Sequence, residues 1–436
     1  MRRDALPTAL MPMAAPAAAP LFPSLTGAPP HRTLCTDCGI SRSSQPQRCA
    51  SACQFIRPDH AALEVRVHGR ARASTPAAHA DELHFGPLLA MHRARLEAPR
   101  EGAQWSGITT RLAERLLETK QVDAVLAMGR DPADRWRPVP MLATEPGQLA
   151  ACRGMKMGYA PLLALLEPAR ALGYKRLAVV GIPCQVHALR ALERELGFEQ
   201  LFVIGTPCSD NTTTENFHRF LALLDEHPGD ITYLEFRADY HVEVRWADGR
   251  RRSIPFLQLP LSKLPAEFFP LTCRTCVDYT NVLSDITVGY MGGTGEQWLI
   301  VRNARGAELL GLLGSEVQLS PCTSGGRRGG AVRGFLANLQ RAAGGLPLRR
   351  MPAWLRPLVG WLMPKVGPRG LEFARARVEM KALETVLHLR REAPRRLRRL
   401  VPAHVWALAR PYGIEPAAAE LAGTPPGVPA RQGARP

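Results

Sequence analysis

The chain has 436 residues, of which 46% are hydrophobic, and its 56 Lys and Arg against 39 Asp and Glu give a formal net charge of +17. This length and apolar content are typical of a globular protein with about two or three domains. The longest apolar runs, such as LAVVGI at 177–182, are far shorter than the roughly 20 residues that span a bilayer. This excludes a membrane-spanning helix, and we expect a cytoplasmic protein.

The positive charge is concentrated in the last quarter of the chain, after residue 330. A basic surface attracts nucleic acid, anionic membranes, acidic proteins or carboxylate-bearing ligands, and composition does not choose among them. Aromatic residues make up only 6% of the chain, and the sequence has no nucleic-acid-binding motif. We therefore expect no nucleic acid among the partners.

The two ends of the chain differ in composition from its middle. Residues 1–30 are rich in Ala and Pro but lack a continuous apolar run, which predicts a disordered leader and not a signal peptide. Residues 31–62 are rich in Cys, Ser, Pro and Arg with little periodicity, which indicates a small module folded around a metal. Residues 413–436 are rich in Pro, Ala and Gly and are predicted to be a disordered tail.

Residues 63–325 are predicted to form an α/β domain, because strand-like and helix-like segments alternate from about residue 104. The strand-like segments are VDAVLAM, RLAVVGI and LFVIG; the helix-like ones are WSGITTRLAERLLET, LLALLEPARAL, VHALRALEREL and NFHRFLALLDE. This alternation favours an α/β fold in which a mostly parallel sheet is flanked by helices.

The pattern changes after residue 230. ITYLEFR, HVEVRW and RRSIPF alternate with period two around a turn at Asp248-Gly249, which predicts an antiparallel meander. DITVGYM and WLIVRN are two further strand-like segments. Residues 326–412 are predicted to form a basic helical C-terminal region. Its segment WLRPLVGWLMP suits a membrane interface, with a packed helix as the alternative.

Four of the ten cysteines form a C-x2-C-x10-C-x3-C motif at Cys35, Cys38, Cys49 and Cys53. In a reducing compartment, clustered cysteines are more often metal ligands or redox groups than disulfides. Four thiolates in one short segment can saturate either a zinc ion or a [4Fe–4S] cluster. The spacing does not decide between the two metals.

A second set of cysteines is dispersed along the chain. Cys273 and Cys276 form another C-x2-C pair, and Cys184 and Cys208 each follow a predicted buried strand in GIPC and GTPC. Because sites in open α/β sheets assemble at the carboxyl ends of the strands, these four thiols can converge. The alternative is that the two strand-end cysteines are ordinary buried thiols. The two remaining cysteines, at positions 152 and 322, are interpreted as structural.

Seven motifs in order resemble the coenzyme F420 hydrogenase/dehydrogenase beta-subunit family over residues 30–410. They are LCTDCG (34–39), ACQF (52–55), WSGITT (105–110), GIPCQVHALR (181–190), CRTCVDYTN (273–281), DITVGYMG (285–292) and GPRGLEFAR (367–375). The likeness is greatest to the branch of ferredoxin-dependent divinyl chlorophyllide 8-vinyl reductases and plant 7-hydroxymethyl chlorophyll a reductase.

The resemblance implies FAD and two [4Fe–4S] clusters that receive electrons from reduced ferredoxin, and it makes residues 63–325 the expected FAD and iron–sulfur catalytic domain. Both cysteine sets then become expected cluster ligands: Cys35, Cys38, Cys49 and Cys53, and Cys184, Cys208, Cys273 and Cys276. In that branch the first motif continues as C-x2-C-x2-C with a fourth cysteine downstream. Ser41 stands at the third position here, which leaves Cys49 or another group to complete the first cluster.

The expected flavin site begins at Ser106-Gly107 with Thr109 and Thr110. These residues open a predicted helix, where backbone N–H groups and the positive end of the helix dipole favour a pyrophosphate. The family context makes this the FAD candidate, although Ser followed by Gly is also common as a plain helix cap.

Five further polar or loop residues are candidates for contact with the flavin or the clusters. Lys156, Gly158 and Tyr159 follow a predicted strand, and Asn211 and Asn281 lie close in sequence to cluster ligands. Ordinary loop hydrogen bonds are the alternative for each of them.

The function that the resemblance implies is reduction of the 8-vinyl group of divinyl (proto)chlorophyllide a in (bacterio)chlorophyll biosynthesis. Clusters carry single electrons, whereas a C=C bond takes up two electrons and two protons, so a flavin would convert between them. Tyr159 and His187 are the proton-donor candidates, and a packing role is the alternative for the histidine. The basic surface would suit an acidic ferredoxin and a carboxylate-bearing chlorophyllide.

Other functions stay open on the same residues. A related reductase would act on 7-hydroxymethyl chlorophyll or a deazaflavin cofactor. A non-catalytic electron-transfer subunit and a zinc-stabilised binding protein are the non-enzyme alternatives. We expect a cytoplasmic location, with peripheral contact at the inner membrane as a further option, and make no prediction of oligomeric state.

Overall fold

The computed structural model describes residues 34–72, 81–265, 267–290, 295–344, 346 and 351–421. The predicted leader, 1–30, lies outside these ranges, as do residues 422–436 of the predicted tail. Within residues 413–421, Ile414 is buried and Glu420 forms an ion pair with Arg390. No helix in the described part of the chain has the length and apolarity needed to cross a bilayer.

The strands are numbered in chain order. They are β1 Ala90–Leu96, β2 Ala124–Arg130, β3 Pro138–Ala143, β4 Arg176–Gly181, β5 Gln200–Gly205, β6 Ile231–Phe236, β7 His241–Trp246, β8 Arg251–Pro255, β9 Ile286–Gly289, β10 Gln297–Val301, β11 Val317–Ser320, β12 Ser324–Gly325 and β13 Arg369–Gly370.

The helices are numbered in the same way. They are α1 Cys49–Ala52, α2 His60–His68, α3 Glu82–Phe85, α4 Ile108–Glu118, α5 Leu166–Ala171, α6 Pro183–Leu196, α7 Thr214–Leu221, α8 Leu271–Arg274, α9 Ala304–Gly311, α10 Arg328–Ala343, α11 Arg356–Val366, α12 Leu371–Glu392, α13 Pro394–Leu400 and α14 Ala403–Ala409.

A mixed sheet of eight strands, in the order β11-β1-β10-β9-β5-β4-β2-β3, forms the centre of the structure. Strands β2, β4, β5 and β9 are parallel, and antiparallel strands extend the sheet on both sides. The predicted α/β fold is confirmed, with parallel pairing confined to these four central strands. Strands β6, β7 and β8 form the predicted antiparallel meander.

Three strands of the large sheet, β1, β3 and β11, have no counterpart among the predicted elements. Strand β3 contains Pro138 and Pro140, and it lies at the edge of the sheet, where a residue without an N–H group is tolerated. The sequence of β1, AMHRARL, has no β-branched residue, so its local preference for a strand is weak. Its partners β10 and β11 are about 200 residues away in sequence, and only tertiary pairing reveals it.

The two faces of the sheet bury alternate residues of each strand, as the two-residue period of a strand requires. In β2, Val125 packs in one core cluster with Leu112 of α4. Ala124 and Leu126 pack on the opposite face in a cluster with Leu189 of α6. The parallel strands are therefore covered by helices on both sides, which accounts for their continuous apolar sequences.

The predicted C-terminal helical region is present as α10 to α14. The 22-residue helix α12 packs Leu383 and Val386 in one core cluster with Trp298 of β10. Leu34 and Phe55, from the cysteine-rich segment, belong to the same cluster. The two ends of the described chain thus share one hydrophobic core beside the sheet.

A buried ion pair joins three of these elements. Arg190 of α6 donates to an Asp285 carboxylate oxygen at 2.7 Å, and both side chains are fully buried. The second carboxylate oxygen accepts a 2.7 Å hydrogen bond from the N–H of Val203 in β5. Burial alone would raise the pKa of Asp285, but Arg190 and Arg305 outweigh this and hold it below its ordinary value.

We predict that Asp285→Asn lowers the free energy of unfolding by roughly 3–5 kcal/mol, because the fully buried Arg190 guanidinium loses its buried counter-charge and keeps only its ion pair with Glu193. Since the pKa of Asp285 is depressed, its contribution is present above the pKa of the unfolded carboxyl and is lost as pH falls. Urea unfolding followed by circular dichroism at neutral and acid pH measures both effects.

The matched control is Asp248→Asn, which breaks the exposed turn pair between Asp248 and Arg250 and should change stability little. Equal losses in the two variants at neutral pH would contradict the assigned role of Asp285.

Candidate functional site

Four cysteine thiols line one cavity at the carboxyl ends of β4 and β5. Cys184 lies in the first turn of α6, directly after β4, and Cys208 follows β5. Cys273 lies in α8 and Cys276 just beyond it. Tyr159 also lines this cavity. Within the described residues, no three His, Cys, Asp or Glu side chains are grouped as ligands of a single metal ion.

Burial dominates the electrostatics of these thiols. Removal from water raises the pKa of Cys184 and of Cys208 well above the ordinary value, and the neighbouring thiols of the set add to the effect. The pKa of Cys276 rises to about 12 for the same reason. Thiolates here therefore need a cationic partner. A thiol-lined cavity of this kind fits a metal–sulfur group.

The N-terminal cysteines form a second group. Burial raises the pKa of Cys38 to about 12, and the neighbouring Cys53, Cys49 and Cys35 each raise it further, so the four lie together. Cys49 and Cys53 are one helical turn apart, and the N–H of Cys53 donates to the carbonyl of Cys49 at 3.1 Å. This spacing places both side chains on the same side of the chain.

The turn after Cys38 depends on Gly39, whose φ of 113° is in the region that favours glycine. A Cβ atom at Gly39 would lie 2.4 Å from the backbone nitrogen of Ala164. The Cys38 carbonyl accepts a 2.9 Å hydrogen bond from the N–H of Leu163. The cysteine-rich segment is therefore fastened directly to the chain that precedes α5.

The two groups of thiols are neighbours. Charge on Cys38 raises the pKa of Cys184, and Thr36 forms a hydrogen bond with the Cys184 sulfur. Gln54, next to Cys53 in sequence, directs its Nε2 at the Cys276 sulfur from 3.7 Å. Side chains of the N-terminal segment thus complete the wall of the second group's cavity.

Asn211, Gly158 and Tyr159 lie together at the second group. The Asn211 N–H donates to the Cys273 sulfur at 3.3 Å, and its side chain exchanges hydrogen bonds with the backbone of Gly158. The Tyr159 hydroxyl lies 3.3 Å from the Cys273 sulfur. A Cβ at Gly158 would lie 2.5 Å from the Thr214 hydroxyl oxygen, so glycine allows this close approach.

Asn281 joins the two strands that precede the cysteines. It has a φ of 58°, and its Nδ2 donates to the carbonyls of Gly181 at 2.7 Å and Thr206 at 3.2 Å. Its Oδ1 is buried and has no hydrogen-bond partner among the described residues. The side chain therefore fixes the ends of β4 and β5 relative to each other.

The predicted flavin residues at the start of α4 are partly engaged within the protein. The Ser106 hydroxyl and the Ile108 N–H both donate to Oε1 of Gln297 at 2.9 Å, and Gly107 caps the helix with a φ of 85°. Thr109 and Thr110 follow in the first turn, where N–H groups have no intrahelical acceptor. Gln297 of β10 is a capping residue that local sequence patterns did not reveal.

Positive side chains surround this helix terminus. Arg100 and Arg153 both form ion pairs with Glu114, at 2.9 and 3.0 Å. The Nε atoms of both arginines and the Nε1 of Trp105 are buried without a partner among the described residues. Unpaired donors and positive charge fit the diphosphate of a dinucleotide cofactor.

Lys156 is held within its own loop. Its ammonium donates to the carbonyls of Cys152, Arg153 and Gly154 at 2.5, 3.2 and 3.2 Å. Burial lowers the pKa of Lys156 to about 8. The Lys156 side chain therefore fixes the loop before Gly158. These hydrogen bonds within the protein explain where its ammonium lies, and no ligand contact is needed to do so.

Two family models cover most of the α/β part of the chain. Both describe the beta subunit of coenzyme F420 hydrogenase/dehydrogenase: residues 91–167 match the model of its N-terminal part, and residues 174–320 match that of its C-terminal part. The chain belongs to the coenzyme F420 hydrogenase/dehydrogenase beta-subunit family. The resemblance found in the sequence motifs is confirmed.

Relatives extend the match over nearly the whole length of this family member. An uncharacterised protein of Nostoc sp. is 34% identical over 88% of this chain and 95% of its own length. The chloroplastic 7-hydroxymethyl chlorophyll a reductase of Oryza sativa is 34% identical over 88% of this chain and 84% of its own. A subunit of the F(420)H(2) dehydrogenase of Methanosarcina mazei is 27% identical over 50% of this chain and 61% of its own.

A cluster of charged residues from α12, missed in the sequence, lies beside the second cysteine group of this family member. Arg377 donates to the Ser209 hydroxyl at 2.7 Å. Lys381 forms ion pairs with Asp210 at 2.7 Å and Glu384 at 2.9 Å. Arg377, Lys381 and Glu384 are spaced by four and three positions, which places them on one face of α12. From this spacing, the sequence could have predicted the cluster.

Of the two proton-donor candidates, Tyr159 is among the described residues that line the cavity and His187 is not. The His187 ring packs 5.2 Å from the ring of His60, which also lies 6.4 Å from that of His404. Burial lowers the pKa of His187 well below its ordinary value. The packing alternative given for this histidine therefore accounts for its surroundings.

We predict that Asn281→Ala lowers the free energy of unfolding by about 1–3 kcal/mol, because the buried Gly181 carbonyl and the partly buried Thr206 carbonyl each lose the hydrogen bond from the Asn281 amide. The positive φ at this position, which Asn tolerates better than Ala, adds to the cost. The apparent midpoint of urea unfolding measures the change. Gln258→Ala, at an exposed amide, is the control, and an unchanged midpoint for Asn281→Ala would contradict its role in joining β4 to β5.

Proposed function

We propose that this family member is an oxidoreductase that reduces the 8-vinyl group of divinyl (proto)chlorophyllide a with electrons from reduced ferredoxin. The observation that carries the proposal is the pair of adjacent four-thiol groups, since paired thiol groups suit a chain of single-electron carriers. The identity with 7-hydroxymethyl chlorophyll a reductase, 34% over 84% of that enzyme, supports a chlorophyll-type substrate.

The proposed ligands are Cys35, Cys38, Cys49 and Cys53 for a first [4Fe–4S] cluster, and Cys184, Cys208, Cys273 and Cys276 for a second. The position of Cys49 beside the other three N-terminal thiols supports it as the replacement for the ligand usual at Ser41. The closeness of Cys38 and Cys184 supports electron transfer between the groups. Bound clusters supply single electrons, and bound FAD supplies hydride transfer.

The proposed flavin contacts are the first turn of α4, with Thr109 and Thr110, and the unpaired donors of Arg100, Arg153 and Trp105. Their buried, partnerless nitrogens support an anionic group at this place. Ser106, Gly107, Lys156, Gly158, Asn211 and Asn281 would then shape the flavin and cluster environment through the protein hydrogen bonds already described.

The surrounding residues would tune the second cluster. The Asn211 N–H and the Gln54 amide both point at thiol sulfurs, and hydrogen bonds to cluster sulfurs are one determinant of reduction potential. Lys381 brings a buried positive charge that acts on Cys276. Tyr159 keeps its proton on the hydroxyl oxygen, because burial and the neighbouring Cys273 raise its pKa.

Ferredoxin would dock at the basic surface of α13, whose core cluster contacts Cys53 of the first group and Cys184 of the second. Helix α13 exposes Arg395, Arg398 and Arg399, while its Leu397 and Leu400 pack in the core cluster that also contacts Cys184. An acidic partner would be attracted by these guanidiniums. This surface would therefore bring a donor close to the thiols.

Substitution of single cysteines tests the ligand sets. We predict about eight iron atoms per anaerobically purified chain, and about half of that in Cys49→Ala and in Cys184→Ala, since each would lose one cluster. Cys322→Ala, outside both groups, should keep the full iron content. Full iron in Cys49→Ala would assign the fourth ligand to another group, and a colourless zinc protein would contradict the redox function.

A substrate comparison tests the reaction itself. Enzyme reduced by a ferredoxin system should convert divinyl chlorophyllide a or its protochlorophyllide analogue to the 8-ethyl product, as separated by chromatography. The second candidate is reduction of 7-hydroxymethyl chlorophyll a, which the Oryza relative favours. Conversion of that pigment with no change in either divinyl pigment would contradict our first choice and support the second. Reduction of a deazaflavin alone would point to the methanogen relatives.

A further inference from the structure

Helix α11 and the turn before it expose a continuous apolar stripe. Large side chains recur at three- to four-residue spacing, which places them on one side of the helix. The stripe residues and their exposed fractions are Trp354 78%, Leu358 56%, Trp361 60%, Leu362 40% and Val366 55%. Monomeric proteins rarely leave so many large apolar groups together in water unless the surface has a partner.

The opposite side of α11 is seated on the protein. Gly360 is the buried residue of the helix, and a Cβ atom there would lie 3.1 Å from the Cβ of Pro255. The Gly367 N–H, just past the helix, donates to the carbonyl of Met363 at 2.8 Å. Tyr240 donates to the carbonyl of Pro368 at 2.6 Å. The helix is therefore fixed in place, and its apolar stripe faces outward.

The charge around the stripe is mainly of one sign. The sequence from Val317 to Leu371 contains nine Lys and Arg and no Asp or Glu. The Lys365 ammonium lies 3.3 Å from the centroid of the Trp361 ring. Strand β8, which contacts α11, exposes Arg251 and Arg252. Lys365 on α11, and Arg251 and Arg252 on the strand that α11 contacts, are called the positive border of the stripe.

We propose that this stripe binds the surface of an anionic lipid membrane, with α11 lying in the plane of the interface. Tryptophan suits the boundary between acyl chains and headgroups, and lysine can extend from an apolar face to lipid phosphate. A self-association through the same stripe would bring two surfaces of like charge together, which is unfavourable. An anionic lipid surface would bury the apolar stripe and attract the positive border at the same time.

This inference does not depend on the proposed reaction. It makes the protein peripheral, since no helix in the described ranges is suited to span a bilayer. Apolar pigments dissolve in the lipid bilayer. If the proposed substrate class is correct, binding through the stripe would bring the enzyme to its substrate.

Flotation of the full, cofactor-loaded chain with vesicles tests the proposal. We expect binding to vesicles of equal parts phosphatidylcholine and phosphatidylglycerol, weak binding to phosphatidylcholine alone, and weakening by salt. Trp354→Ser combined with Trp361→Ser should lower the affinity roughly tenfold or more. Lys365→Glu should lower it about tenfold for the anionic vesicles only.

Two controls match these variants. Val65→Ser combined with Leu172→Ser removes exposed apolar side chains outside the stripe, and Arg194→Glu reverses an exposed charge on α6; both should leave vesicle binding unchanged. Absence of flotation with anionic vesicles at low salt would overturn the proposal. The proposal would also be overturned if the tryptophan double variant still bound vesicles but changed from an oligomer to a monomer, as measured by light scattering. Vesicle binding is measured without substrate, so its failure is distinct from failure of the reaction.

Discussion

The buried carboxylate of Asp285 holds helix α6 and the central strands β5 and β9 in one relative position. It accepts hydrogen bonds from Arg190 of α6 and from the Val203 N–H of β5, and it directly precedes β9. Because a charge in the core is tolerated only with its partners in place, these contacts define one relative position of helix and strands. Asn281 fixes the ends of β4 and β5 in the same region. The cysteines that follow these strands can meet only because the strand ends are held in this way.

Burial then gives the thiols their chemical character. The same desolvation that raises their pKa values makes them poor thiolates without a cationic partner. Helix α12 covers the site and brings Lys381 and Arg377 next to it, balanced by Asp210 and Glu384. The result is a water-poor, charge-balanced environment, which is the kind of setting that tunes an electron carrier. The N-terminal segment completes it with Thr36 and Gln54.

Several parts of this arrangement followed from local sequence. The four central strands were predicted from apolar runs, the meander from its alternation, and helices α4 to α7 from the helix-like segments between the strands. The C-terminal helices were predicted only as a region, and α1, α2, α3, α8 and α9 were not predicted. The edge strand β3 was hidden by its prolines, and β1 by its lack of β-branched residues. In the site, Ser106 was predicted to open a helix, and it does so at Gly107. Its hydroxyl, however, bonds to Gln297, almost 200 residues away in sequence, and no local pattern contains such a partner.

The sequence by itself determined the family, the α/β class and the two sets of cysteines, since motifs and periodicities are local properties of the chain. Only the tertiary structure decided that Cys184 and Cys208 share a cavity with Cys273 and Cys276, and that Cys49 lies with the other N-terminal thiols. It also decided which face of α11 stays uncovered. These outcomes depend on packing between segments far apart in the chain, where burial and paired charges select one arrangement out of many that the local sequence allows.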